Sequence, residues 1–274
     1  MNRMSAAGCV EQCRTIRRHI IEMLERAGSG HPGGSLSATE VVTALYFHFL
    51  RQDPQAPDDP DRDRFILSKG HAVPVQYACM AERGYFPKAE LATLRCIDSR
   101  LQGHPVKGTL PGIEASTGSL GQGLSIACGH ALAARLDGRD YRVYCLLGDG
   151  EIDEGQVWEA ALFAAHHKLA NLVAIVDANG VQLDGYTKDI LNLEPLADKW
   201  RAFGFEVLEI DGNDMTQVFA ALDQASTHTG DKPFCIIART VKGMGVSFME
   251  NEVEWHGVAP NREQAAAALA EIGG

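Results

Sequence analysis

Two short stretches combine residue types that can hold a phosphate group and a divalent cation. Gly148-Asp149-Gly150 sets a carboxylate between glycines, which let the backbone approach an anion closely. After 28 intervening residues comes Asn179-Gly180-Val181, with an amide oxygen and main-chain carbonyls. Carboxylate, amide and carbonyl are hard oxygen donors, the set Mg²⁺ or Ca²⁺ takes when phosphate oxygens complete the sphere. Taken alone, a Gly-Asp-Gly stretch reads equally well as a tight turn, with Asp149 no more than a turn residue.

Histidines supply the second signal. Of ten, His31, His71, His104 and His256 each stand beside glycine or proline, where a tight backbone can present an imidazole to a ligand. Imidazoles titrate near neutral pH and suit proton transfer between hydroxyls and carbonyls. His19, His48, His130, His166, His167 and His228 have no such setting and read as structural or surface residues. Thr240-Val241-Lys242-Gly243-Met244-Gly245 is a weaker candidate, a Gly-rich turn that could cradle a phosphate.

The elements that must position these residues follow from pattern. Val10, Cys13, Ile16, Ile20, Ile21 and Leu24 recur at helical spacing, predicting an amphipathic helix from Ser5 to about Ala27. Gly28 to Gly34 should stop it. Ser37-Ala38-Thr39-Glu40 offers a cap for a second helix, Glu40 to Phe49. The acidic segment Asp53 to Asp63, with Asp58, Asp59, Asp61 and Asp63, reads as a solvated connector, and Arg64 to Ser68 as a short strand. From residue 142 the pattern is regular. Strands are expected at 142–147, 172–177, 206–210 and 233–238, and helices at about 155–169, 196–203, 215–225 and 261–270. This alternation predicts an α/β fold, a mostly parallel sheet with helices on both faces, in one domain over residues 1–274. Asp149 and Asn179 then follow neighbouring strands, at the carboxyl ends where such sheets bind ligands.

Composition narrows the class further. The 274 residues carry 25 Lys+Arg against 36 Asp+Glu, a formal charge of −11, with 45% hydrophobic residues. Such a chain buries a substantial core, and its acidity argues against broad binding to nucleic acid or an anionic membrane. Seven scattered cysteines form no C-x-x-C pair, which speaks against a zinc ribbon or a disulfide framework. No apolar run approaches the roughly 18 residues of a membrane span, and Met1 to Ser5 opens no signal-peptide stretch. A reducing, cytoplasmic setting is expected.

The combined motifs resemble the transketolase family. Gly148-Asp149-Gly150 with Asn179 is similar to the thiamine-diphosphate motif. Gly30-His31-Pro32-Gly33, Ser68-Lys69-Gly70-His71, Gly103-His104-Pro105, Thr117-Gly118-Ser119-Leu120-Gly121-Gln122-Gly123, Glu154-Gly155 and Trp255-His256-Gly257 look like transketolase segments in family order. The resemblance covers about residues 10 to 260. It implies that Asp149, the Asn179 side chain and the Val181 carbonyl bind Mg²⁺ (or Ca²⁺), and that Gly150, His71 and His256 contact the diphosphate. Gly118 and Leu120, with Ser119 between them, would lie against the cofactor's rings. His31 and His104 would reach the substrate channel, with His104 and His256 donating to sugar hydroxyls. Glu154 and Glu159 would form a buried carboxylate relay at a dimer interface, although a first-turn glutamate is also favourable at a helix amino end. Ser119 stands where many full-length transketolases have proline, and Ala72 where many have glycine.

A full-length transketolase is more than twice this long, and the resemblance leaves its carboxyl half unaccounted for. The expectation is therefore an amino-terminal subunit of a split transketolase in an α2β2 assembly, acting on ketose and aldose phosphates, rather than an expressed fragment. A split enzyme for a modified sugar, such as a sulfosugar or branched ketose, is the nearest alternative. A deoxyxylulose-phosphate synthase or a 2-oxo acid dehydrogenase component shares the Gly-Asp-Gly…Asn core but not the ordered histidine motifs. A non-enzymatic remnant should have lost a motif histidine or metal ligand. A nucleotide-binding Rossmann protein would need a G-x-G-x-x-G opening a helix, which is missing.

Overall fold

In the computed structural model, which describes residues 3–273, the Ser5 hydroxyl accepts from the Gly8 N–H at 3.2 Å and starts α1 (Ala6–Ala27). Gly28, at φ 62°, ends it. The sequence-based domain limits also took in Met1, Asn2 and Gly274, which lie outside the described residues. The Gly/Pro stretch does not stay open, because Pro32 starts α2 (Pro32–Ser37) and Gly33 and Gly34 continue it. The next helix is α3 (Thr39–Ala44), which runs into a π-turn at Leu45–Phe49. Ser37 does not cap it. Its hydroxyl donates instead to Asp177 Oδ2 at 2.6 Å, 140 residues away.

Next come β1 (Arg64–Leu67), α4 (Val73–Arg83), α5 (Gln122–Leu136) and β2 (Val143–Gly148). The periodicity predicts neither α4 nor α5. Every residue of α4 from Val73 to Ala81 is buried, so no amphipathic stripe marks it. In α5 the four Leu and Ile residues are interspersed with Gly, Ala and Ser, which dilutes its hydrophobic periodicity. The remainder is α6 (Gly155–His166), β3 (Leu172–Ala178), a hairpin of β4 (Val181–Gln182) and β5 (Gly185–Tyr186), α7 (Thr187–Ile190), α8 (Leu196–Ala202), β6 (Glu206–Asp211), α9 (Met215–Thr227), β7 (Phe234–Arg239) and α10 (Arg262–Glu271).

The main sheet has the order β1-β2-β3-β7-β6, parallel throughout. Alternate side chains serve two cores. Tyr144, Leu146, Val173, Ile175, Phe234 and Ile236 face the side covered by α1, α3, α4 and α9. Val143, Cys145, Leu147, Leu172, Ala174, Val176, Cys235 and Ile237 face α5, α6 and α8. Cys145 and Cys235 are small core residues here. The acidic segment is not wholly solvated. Asp63 is 2% exposed, pairs with Arg51, and accepts the Arg51 and Arg142 N–H groups at 2.9 Å each, tying the loop to the foot of β2.

Candidate active site

All carboxyl ends of a parallel sheet lie on one edge, and four neighbouring strands deliver side chains there. Beyond β1, Lys69 is 1% exposed and donates to the Gly34 carbonyl at 2.8 Å and to Asp177 Oδ2. Asp177 also accepts from Ser37, Thr240 and the Asn179 amide. Burial alone would push its carboxyl up, but Lys69 and these donors hold it below the usual carboxylate range. The charged Asp177 orients Asn179: Nδ2 donates to Asp177 at 3.0 Å, and Oδ1 accepts the Val181 N–H at 3.1 Å.

After β2, Asp149 accepts the Gly150 N–H at 2.8 Å and the Gly180 N–H at 2.5 Å. Burial, then the neighbouring Asp177, raise its carboxyl to about 6. Glu151, 2% exposed, braces this turn by accepting from Gly148 and Gly121 N–H groups and from Ser68. After β7, Lys242 is 2% exposed and donates to the Val181 carbonyl at 2.8 Å and to His256 Nδ1 at 2.6 Å. Burial lowers Lys242 to about 8 against the pull of Asp149, and Lys69 repels it further. The turn holding Lys242 is no phosphate cradle. Its Gly243 N–H donates to the Gly33 carbonyl and its Gly245 N–H to Glu250.

Four imidazoles gather over these groups. The His31 ring lies 5.0 Å from His71, 5.7 Å from His256 and 6.5 Å from His104, and His71 stacks on His256 at 5.3 Å. Each is pushed toward its neutral form. Burial, then Arg95, lower His31 to about 4, and burial with Lys242 lowers His256 to about 3. Burial, then Lys69, push His71 well below the imidazole range, and burial with Arg95 lowers His104. Glycine is required beside them: Gly118 sits at φ 138°, and a Cβ there would meet His104 at 2.9 Å.

A cavity of about 260 Å³ is lined by His31, His71, His104 and His256 together with Gly118, Leu120, Asp149, Gly150, Asn179 and Val181. Ser119 lies outside it, exposed, accepting from Gln122 at 3.1 Å. Glu154 and Glu159 are exposed rather than buried, so this chain alone does not supply the low-dielectric setting a carboxylate relay needs. Lys69 and Lys242 fall inside the stretches Ser68–His71 and Thr240–Gly245, but neither lysine itself reads as a site residue there, and Asp177, Glu151 and Gln182 carry no motif signal. A charge inside the apolar strand Leu172–Ala178 was the available signal for Asp177. A larger groove, about 520 Å³, runs between α1 and α10, where its lining residues His19 and Lys88 both pair with Glu82.

Thiamine diphosphate with a divalent cation fits these residues. Asp149, Asn179 and Val181 are three hard-oxygen donors, with a carboxylate that burial leaves in need of positive charge. Lys242 already stands against one of them. His31 Nδ1 is buried with no partner in the protein, and a Cβ on Gly34 would project to 3.5 Å from His71 Nε2. Among the described residues no cluster of three His, Cys, Asp or Glu side chains could hold a metal.

A parallel sheet whose strand ends join hard oxygens to buried ammonium groups defines a diphosphate-binding α/β domain. Residues 9–273 match the family described as "Transketolase, thiamine diphosphate binding domain". The chain belongs to the transketolase family. It is 46% identical over 263 residues to one of the subunits of apulose-4-phosphate transketolase from Actinobacillus succinogenes, covering 96% of this chain and 95% of that one. It is also 46% identical to the 6-deoxy-6-sulfo-D-fructose transketolase subunit SqwG of a Clostridium species, covering 95% and 94%. Human transketolase is 42% identical over 94% of this chain, but the match spans 41% of that protein. The solved transketolase of Campylobacter jejuni superposes with a TM-score of 0.91 at 34% identity, covering 97% of this chain and 42% of that one.

Proposed function

We propose that the chain is the amino-terminal subunit of a two-chain transketolase, which moves a two-carbon ketol unit from a ketose phosphate to an aldose phosphate. A carboxyl-terminal partner completes the site, in an α2β2 assembly. The observation that carries this reading is the single cavity shared by four imidazoles, three hard-oxygen donors and two buried lysines. When bound, thiamine diphosphate supplies the electron sink for the ketol unit. Asp149, Asn179 and the Val181 carbonyl hold the cation, Mg²⁺ or Ca²⁺. Gly150, His71 and Lys242 hold the diphosphate, and Gly118 and Leu120 flank its rings.

His31, His104 and His256 orient the sugar and exchange protons with its oxygens. The Lys242 ammonium has no lone pair, so His256 Nδ1 must accept and its proton resides on Nε2, ready to donate to a hydroxyl. Glu154 and Glu159 become a relay only when a second copy buries them. Among the described residues no helix is long and apolar enough to cross a membrane, and the proposed setting is cytoplasmic.

A specialised sugar is the second reading. It is favoured by the two relatives at 46% identity, whose names specify apulose 4-phosphate and 6-deoxy-6-sulfo-D-fructose. Co-expression with a chain resembling a transketolase carboxyl half, then ketol-transfer assays on phosphorylated, sulfonated and branched ketoses, decides between them. The isolated chain is expected to be inactive, and turnover without a partner would refute the two-chain reading.

A further inference from the structure

The segment following the 3₁₀ turn Lys88–Thr93 folds on itself through Cys96 N–H to the Thr93 carbonyl at 3.0 Å, Leu101 N–H to Ser99 Oγ at 3.0 Å, and Thr93 to Ser99 at 2.7 Å between hydroxyls. Within it Arg95 takes the left-handed conformation, φ 61°, pinned by its N–H to the Leu101 carbonyl at 2.9 Å. A large side chain there costs on the order of 1 kcal/mol, so the surrounding bonds hold Arg95 where it would not otherwise sit. Lys88 and Arg100 on either side pair with Glu82 and Glu90, whereas Arg95 has no carboxylate partner among the described residues.

Its guanidinium goes instead to two glycines. A Cβ on Gly103 would lie 2.7 Å from Arg95 Cζ, and one on Gly30 would lie 3.5 Å from Nε. Gly103 immediately precedes His104, and Gly30 immediately precedes His31. Both histidines line the cavity, and Arg95 does not. We propose that Arg95 is a positioning residue shared by His31 and His104, one guanidinium that braces both imidazole-bearing turns from outside the cavity.

Its charge reaches the same two rings. After burial, Arg95 is the leading cause that lowers both His31 and His104. His31 is also faced by His104, Lys242 and the rings of His71 and His256, whereas His104 is faced by Arg95 and the His31 ring. Two histidines from separate loops are thus coupled to one cation.

The inference rests on the proposed substrate-handling role of His31 and His104, but its test needs no turnover. The full chain, labelled with ¹⁵N-histidine, is titrated by NMR as wild type, Arg95→Gln and Arg95→Lys. Arg95→Gln should move the His31 and His104 ring titrations upward by about 0.5 pH unit or more. His48, bonded to the Met4 carbonyl at 2.7 Å, should stay in place. Arg95→Lys should recover at least half of the change. If Arg95→Gln keeps its melting temperature and moves neither ring, or moves His48 equally, the proposal is overturned. Should that variant fail to fold, Gly103→Ala displaces the guanidinium without removing it. The His31 and His104 signals should then shift together, and a change confined to His104 would sink the shared role. Absence of ketol transfer with every partner tested would discredit the functional reading while leaving these titrations interpretable.

Discussion

Lys242 donates from Nζ to His256 Nδ1 at 2.6 Å, so a buried cation sets the tautomer of the imidazole beside it. The same ammonium bonds the Val181 carbonyl, and one side chain therefore ties the proposed proton-handling group to the proposed cation site. Lys242→Met should weaken binding of thiamine diphosphate roughly 10- to 100-fold, the loss expected for a charge-assisted hydrogen bond. Isothermal titration calorimetry on the assembled enzyme at fixed Mg²⁺ measures this, and unchanged affinity would remove Lys242 from the site.

Asp149 is the sole carboxylate in the proposed cation set. Asp149→Ala should abolish the dependence of cofactor binding on divalent cation, and a cation titration of wild type against variant reads that directly. Persistence of the full Mg²⁺ effect would place the cation elsewhere.

Lys69 and Asp177 are buried together, 1% exposed each. Asp177→Ala leaves an ammonium buried without a counter-charge and should destabilise the chain by about 3–5 kcal/mol. Urea unfolding measures the loss. Lys69→Met combined with Asp177→Leu should be less damaging than Asp177→Ala alone.

The histidines make stability depend on pH. His31 and His256 titrate at about 4 and about 3 in the fold, against roughly 6.5 in an unfolded chain. Between those values the unfolded state binds more protons, so stability is complete above about pH 6.5 and falls as pH drops through the window. Asp149, raised to about 6, opposes this, because the folded state then takes up a proton. Melting temperatures of wild type and His31→Phe at pH 7, 5.5 and 4.5 separate the two. The variant should lose less on acidification, and parallel curves would contradict the assignment.

Glu154 is exposed in the single chain. Glu154→Gln should change the stability of the isolated chain by no more than about 0.5 kcal/mol. If the relay forms on assembly, the same substitution should lower kcat of the complete enzyme at least tenfold. Full activity in the assembled variant would leave Glu154 as an ordinary acid at the amino end of α6.

The α/β alternation from β2 onward is legible in the amino-acid sequence, since short apolar runs and amphipathic stretches reveal themselves locally. So are the histidine and Gly-Asp-Gly motifs, whose residue types announce their chemistry. The sequence is silent on α4, buried all round, and on the roles of Lys69, Lys242 and Asp177. A lysine is by default a surface residue, and only packing against Gly34, Asp177, Val181 and His256 turns these two into buried cations. Ser37 reads as a helix cap for the same reason: its partner, Asp177, is remote in the chain and adjacent only in the fold. Residue types thus fix which chemistry is available. Which groups are charged, which tautomer His256 takes and which residues meet are settled in the folded chain, because burial and neighbouring charge come from contacts between distant segments.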